Sequence, residues 1–453
     1  MMLSGCAAVS AADDLAGGGG GPRDAALVGE ADLAGGVDAG AGTDASAPGV
    51  HTGVLVGGTG ATPGLIGGVH FSSGGQSGFT DGSGTFSYED GQPLTFSVGD
   101  VTMGPIAGAP LLSPFALAGS VSCAIDQPLE DLLVLLYSLD GDHDPATGTQ
   151  LPSFAATGTP LPLASLTPAS LAQVLATLAP GVTPIGERAA LHLFITQVDG
   201  EEWAETGSDT FTGSAAAQRS QGVTTDGVSF LFSWRFGLER TSPGAAFSEQ
   251  ASNQLAIPLQ FGAQGSDHIG DIDFWNGKIY APVEDSAKYA MPMILLYDPA
   301  DLSYTGQSYA LPPALQTAGV PWVAVDGPRA RVITAEWDPT LQLNLFDLNG
   351  LAVAGSLPLS RTLGRIQGAK VYGGMLYAQA DDTQKTTWKI NLETGTVITL
   401  FTLGRTDVEA EGLVLWQTGG ALMHTLNTNA AKDSMELHHH KRTRDPLRLV
   451  LCP

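Results

Sequence analysis

Positive charge is what this chain has least of. Lys and Arg together number 20 against 46 Asp and Glu, for a net charge of −26. A surface of that sign repels phosphate backbones and anionic headgroups, which argues against nucleic acid as a partner. The acidity itself reads as solubility or adaptation to salt, with attraction of cations such as Ca²⁺ as the alternative. No run of 18 apolar residues occurs, so no segment reads as a membrane-spanning helix. Nucleophile elbow, P-loop, HExxH and CxxC patterns are all missing, so no reaction is declared by motif. Cysteine is scarce, with only Cys6, Cys123 and Cys452. Glycine is abundant instead, at 59 residues, as the turns of an all-β protein require.

Much of that glycine lies in a repeat. The copies begin at Gly222-Val-Thr-Thr-Asp-Gly, Gly270-Asp-Ile-Asp-Phe-Trp-Asn-Gly, Trp322-Val-Ala-Val-Asp-Gly, Gly368-Ala-Lys-Val-Tyr-Gly-Gly and Gly412-Leu-Val-Leu-Trp, and each continues into a second apolar run. Strand, Gly-containing turn and strand make a β-hairpin signature. A third strand follows with an apolar-Asp/Asn step, at Leu296-Tyr-Asp298, Leu345-Phe-Asp347 and Lys389-Ile-Asn391. The starts are roughly 44 to 52 residues apart, the period of four-stranded propeller blades. Five blades are legible. A sixth is expected from Leu191–Ile195 and Trp203–Phe211, with the C-terminal strand Leu447–Leu451 closing the ring. The fold class is therefore mainly β: a five- or six-bladed β-propeller over 188–453, preceded by a small β-sandwich with helices over 51–185.

Residues 7–50 are Gly, Ala and Asp without an aromatic residue, a composition that cannot bury enough surface to order itself. As a flexible tether the segment would span roughly 35–40 Å. In 51–185 short alternating runs such as Gly84-Thr-Phe-Ser-Tyr88 and Leu94-Thr-Phe-Ser-Val98 read as strands. Pro128–Leu139 reads as an apolar helix, and a second helix begins at Thr167-Pro168, an N-cap followed by Pro at the first helical position.

Several stretches resemble known families. Leu3-Ser4-Gly5-Cys6 resembles the bacterial lipobox, which would make Cys6 a lipid-modified residue and residues 1–6 the end of a signal. Only five residues precede Cys6, so either translation starts further upstream or the match is chance. The stretch 68–104 resembles a prealbumin-like module of bacterial surface lipoproteins, through its "TD-x-x-G-x-F-x-Y" and "G-x-x-(L/V)-T-F-x-(V/I)-G-D" patterns. Residues 220–445 resemble bacterial propellers of the broad gluconolactonase and phytase-esterase-like group, through NGKIYAPVED (276–285) and EAEGLVLW (409–416). These resemblances imply export, where a Cys123–Cys452 disulfide is permitted; two buried thiols are the other reading.

Superposing the repeats marks one rim. Gln221, His268, Asp271, Trp322, Gln367 and Glu411 fall at inner-strand entrances, with Glu284, Glu336 and Asp381 just after second strands. Carboxylates converging there suit a Ca²⁺ or other hard-cation site on Glu284, Glu336 and Glu411, and His268 would serve as a general base in a lactonase- or esterase-like reaction. The competing reading is that the carboxylates satisfy turn backbone and the tryptophans pack. Asp140-Gly-Asp-His-Asp144 imitates the first half of a Ca²⁺ loop but lacks its sixth-position Gly and twelfth-position Glu, so a helix-end turn is the simpler reading. His438-His439-His440 reads as a strand, with His438 and His440 on one face.

The expectation is an exported, lipid-anchored outer-membrane protein facing the periplasm or the medium. Its propeller rim would bind a protein, small-molecule or glycan ligand, with Ca²⁺ as the expected ion. The competing expectation is a metal-dependent hydrolase of lactones, esters or phosphoesters on the same rim.

Overall fold

The five repeats fold as hairpins for a reason that can be read residue by residue. In the computed structural model, Trp275 pairs with Lys278, Tyr372 with Met375 and Thr418 with Ala421. The two residues between each pair have positive φ: Asn276 and Gly277, Gly373 and Gly374, Gly419 and Gly420. That is the two-residue hairpin loop whose twist matches the flanking strands. The Asp and Asn of the third strands cap the next turn. Asp298 accepts from Ala300 N at 2.9 Å, Asp347 from Asn349 N at 2.7 Å, and Asn391 from Glu393 N at 2.9 Å.

The structure describes residues 49–57, 64–120, 125–142, 147–244, 246–431 and 433–444. Cys6, Cys123, Cys452, the 7–48 part of the tether and the strand expected at Leu447–Leu451 lie outside them. The chain is mainly β, made of many small antiparallel sheets in a propeller-like arrangement. The first ring sheet holds Gly222–Thr225, Phe230–Trp234, Gly237–Thr241 and Glu249–Asn253. The second has an inner strand broken into His268–Ile269 and Asp273–Trp275, followed by Lys278–Glu284, Met293–Tyr297 and Tyr304–Ala310. The third runs from Ala324–Asp326 to Val353–Leu363 and the fourth from Ile366–Tyr372 to Val397–Thr402. The fifth joins Ala410–Thr418, Ala421–Thr428 and Ser434–Arg444 to Glu202–Thr212. Each innermost strand touches the next, and that of the fifth sheet touches that of the first, so the ring is closed.

The closure differs from the sequence expectation in two ways. Trp203–Phe211 does form a strand, but as the outer strand of the fifth sheet, paired antiparallel with Ser434–Arg444 from Glu202↔Arg444 to Thr212↔Ser434. Leu191–Ile195 is no strand: it lies in the helix Glu187–Asp199. Its buried residues Ala190, Leu191, Phe194, Ile195 and Val198 recur at helical spacing, and the short window Leu-His-Leu-Phe-Ile imitates strand alternation only because it is short.

Residues 49–199 carry a five-stranded sheet centred on Val101–Ile106 and Leu94–Val98, a three-stranded sheet around Val50–Leu55, and helices on one core. The helix Gln127–Leu139 is capped by Asp126, which accepts from Leu129 N at 3.2 Å. Pro168–Leu178 begins at Thr167, whose side chain and that of Ser170 cap each other's backbone. Glu187–Asp199 packs on Gln127–Leu139 and shares this core, so the N-terminal packing continues to Asp199 before the ring begins. Arg188 ties the helix to the ring by donating to Pro358 O and Thr394 O at 2.8 and 2.9 Å. Lys389, buried in the fourth sheet, pairs with Asp199 at 2.8 Å and also with Glu201. Among the described residues, no helix is long and apolar enough to cross a membrane.

Candidate functional site

The entrance rim that the repeats mark is built as expected at one point. His268 stands opposite Glu284 in the strand register. Its Nδ1 lies 3.2 Å from Glu284 Oε1 and its Nε2 2.6 Å from Gln221 Oε1. Elsewhere the rim residues are occupied locally. Glu284 Oε2 accepts from Val320 N at 2.5 Å, and Glu336 Oε1 accepts from Thr317 N at 2.7 Å and from its hydroxyl. Asp381 accepts from Lys385 at 2.6 Å, from Ala410 N at 3.0 Å and from Arg365. Gln367 is half-buried, and Glu411 is buried in the strand Ala410–Thr418.

Three expected rim roles change. Among the described residues, no three His, Cys, Asp or Glu side chains come together so as to hold a metal ion. The cation centre expected on Glu284, Glu336 and Glu411 is therefore not assembled, because the first two carboxylates serve backbone donors of the loop beside them. Trp322 does not line the rim: it is fully buried in the apolar layer with Leu343, Leu363, Ile366 and Trp388. Of the Asp140–Asp144 stretch, Asp140 accepts from Gln150 N at 2.9 Å and Asp142 from Thr147 Oγ1 at 2.8 Å. His143 and Asp144 lie outside the described residues.

Asp271 has the largest change of role. It sits in the gap of the broken inner strand, is fully buried, and stands where the five inner strands meet. Oδ1 accepts from Val223 N at 3.0 Å in the first sheet, and Oδ2 accepts from Ala369 N at 3.1 Å and from Lys370 Nζ in the fourth. Its backbone bonds to Pro321 O at 2.8 Å and to Val323 N at 3.2 Å, beside the third. Glycine is needed around it. A Cβ on Gly412, in the fifth sheet, would stand 2.6 Å from Asp271 Oδ1 and 2.7 Å from Gly222 Cα. A Cβ on Gly368 would stand 2.6 Å from Gly412 Cα. The repeat's leading glycines are thus a collar that lets five backbones close on one carboxylate. Burial pushes that carboxyl up to about 7, against the pull of Lys370 and of the Val223 amide.

Beyond this plug, at the exit ends of the inner strands, opens a cavity of about 420 Å³. Asp273 and Lys370 form its polar floor. Asp273 accepts from Thr224 Oγ1 at 3.1 Å, Phe274 N at 2.8 Å and Val325 N at 2.8 Å, and burial raises its pKa, opposed first by Lys370. Higher up, Arg329 pairs with Asp326 at 3.2 Å. Asp326 is buried, and among the described residues its Oδ1 has no hydrogen-bond partner. Trp275 and Tyr372, 37% and 38% exposed, belong to the same wall.

Sequence reasoning placed the site on the entrance face and missed this one. The available signal was Lys370, a charge in the middle of the otherwise apolar strand Gly368-Ala-Lys-Val-Tyr372. The histidine run is a strand, as read: His438 and His440 stack on one face at 6.5 Å, and His439 faces the other way toward His424.

No family model and no curated protein matches this chain. Among the solved structures that are similar is the crystal structure of Myxococcus xanthus glutaminyl cyclase, over 54% of this chain and 98% of that chain, at 11% identity and a TM-score of 0.39.

Proposed function

We propose that this chain is a five-bladed β-propeller with a small N-terminal β-and-helix unit, exported and held at the outer membrane through lipid on Cys6. Its task is to bind a small polar ligand at the exit mouth of the ring. The observation that carries the reading is the cavity of about 420 Å³ whose floor and walls come from all five inner strands. Its volume lies in the range of small-molecule sites, and a few convergent polar groups among apolar walls are what such sites use for orientation. The buried Lys370 and Asp273 are costly to desolvate and are placed where a ligand reaches them. On the entrance side a cavity of about 380 Å³ is lined by Asp338, Arg365, Asp381, Asp382 and Lys385, but it draws on loops beside the third to fifth sheets rather than on all five inner strands, and Asp381 is already held by Arg365 and Lys385.

A thermal-shift screen of small polar compounds on the full chain tests this. A compound that raises the melting temperature should lose its effect in Thr225→Trp, which fills the mouth. Stabilisation unchanged in that variant would place the ligand elsewhere and overturn the reading.

A further inference from the structure

The chemistry of the mouth narrows the ligand further. We infer that it takes a neutral carbohydrate, a ring bearing adjacent hydroxyl groups, an inference that rests on the mouth being the binding site. The lining alternates in sign. Asp273 stands with Lys370 on the floor, and Asp326 with Arg329 on the wall. Two anions beside two cations give an ionic ligand of either sign a repelling neighbour next to each attracting one. A hydroxyl group meets no such conflict, because it donates one hydrogen bond and accepts others.

The unpartnered Oδ1 of Asp326 sharpens this. It belongs to a residue that is 1% exposed and is among those lining the cavity, and nothing among the described residues donates to it. A buried acceptor left unmade costs about 1–3 kcal/mol, so the site is completed by a donor brought from outside. The neighbouring Arg329 guanidinium has five N–H donors in a fixed fork. It gives one contact to Asp326 at 3.2 Å and lies 3.6 Å from Glu393, which leaves donors for a second oxygen. An acceptor beside a donor fork is the pattern that two adjacent hydroxyls match, one giving its proton to Asp326 and the next receiving from Arg329.

The aromatic residues supply the remaining face. Large aromatic rings left over a third exposed are informative where they join a cavity. Trp275 is also held in place: a Cβ on Gly327 would come within 1.9 Å of its ring, so the indole lies flat against that turn. A rigid aromatic face beside charged hydrogen-bonding groups suits a ring with an apolar C–H face and polar edges.

The test uses the full chain and titrates free monosaccharides and disaccharides, with inorganic phosphate and ethanolamine as anionic and cationic probes. It is read by calorimetry and by tryptophan fluorescence. At least one neutral sugar should bind with a fluorescence change. Asp326→Asn and Trp275→Ala should each weaken it about tenfold, the loss of one good contact, while Leu259→Ala, on the exposed short helix Leu259–Gly262, leaves it unchanged. Melting curves of each variant separate lost binding from lost fold. Binding of phosphate or ethanolamine alone, abolished by Thr225→Trp, would overturn the carbohydrate assignment and leave the mouth as the site. Sugar binding that survives Asp326→Asn and Trp275→Ala in folded protein, or silence of every sugar, would overturn it as well.

Discussion

The axis of the ring and its seam solve the same problem by opposite means. At the axis one fully buried carboxylate, Asp271, ties strands of neighbouring sheets together, and a collar of glycines lets them approach it. At the seam the strand Glu202–Thr212 meets a partner more than two hundred residues away through a long ladder, and histidine–carboxylate pairs decorate it. His438 lies 2.8 Å from Glu205 and His439 2.8 Å from Asp209. The axis concentrates its energy in one group that nothing can replace. The seam spreads it over many groups, each of which can be lost.

The sharpest way to break the comparison is Asp271→Ala. It leaves Lys370 buried without its partner and two backbone amides unsatisfied, so a loss of about 3–5 kcal/mol is expected, the usual cost of breaking a buried pair from one side. Urea unfolding of the full chain measures it. A loss near 1 kcal/mol would show that the axis is as redundant as the seam.

The two regions should also answer acid in opposite directions. Burial holds Asp271 up at about 7, so between roughly pH 4 and 7 the folded state keeps a proton that the unfolded chain has released. Its contribution is present in acid and lost as pH rises through 7. Burial holds His424 and His440 at the seam down at about 4. Their contribution is present above pH 6.5 and lost as pH falls through 4, about 3 kcal/mol each if the full shift is realised. The two trends offset each other in the wild type. Replacing both His424 and His440 with Phe should expose a stability that declines from pH 4 to 7, and Asp271→Asn should expose the reverse slope. Parallel slopes in the two variants would refute the opposition.

Smaller, and confined to the axis, is Gly412→Ala. The added carbon meets the buried Asp271 Oδ1 at 2.6 Å and the backbone of the first sheet at Gly222 Cα, 2.7 Å, and Val223 N, 2.9 Å, and that backbone cannot yield. Overpacking of this kind costs about 1–3 kcal/mol. The same change at Gly419, a turn glycine of the fifth sheet with open space around it and φ of 59°, should act only through backbone strain, so comparing melts of the two separates collar from turn.

What the sequence could and could not disclose follows the same division. Local chemistry was legible: Asn276-Gly277 and Gly373-Gly374 require positive φ and so mark turns, while Thr167 marks a helix start. Contacts between distant segments were not. Nothing in Trp203–Phe211 says that it pairs with Ser434–Arg444. Nothing local says that Glu284 and Glu336 are taken up by the amides of Val320 and Thr317. Asp271 was found by superposing repeats, yet its role was misplaced, because the superposition assumes an unbroken inner strand. The break between Ile269 and Asp273 turns that residue inward. The exit cavity was missed for a related reason: its lining is shared among all five repeats, and the residues of any single repeat look like ordinary strand and turn.

The mildest change expected is Glu205→Gln at the seam. Glu205 is nearly half exposed and its partner His438 also lies 3.3 Å from Glu436, so a second carboxylate remains when the first is neutralised. An exposed ion pair is worth about 0–1 kcal/mol and is screened by salt. The loss should therefore stay below about 1 kcal/mol and shrink as ionic strength rises. Asp209→Asn is its stricter companion. His424 Nε2 donates to Trp416 O at 3.0 Å, so its Nδ1 accepts, 2.7 Å away, from His439 Nδ1. The other nitrogen of His439 lies 2.8 Å from Asp209 Oδ2. Asp209 is the less exposed of the two carboxylates, and its partner His439 reaches on to the buried His424. Asp209→Asn should cost more than Glu205→Gln at the same pH, and equal losses would mean that the histidine chain adds nothing beyond the ladder of the two strands.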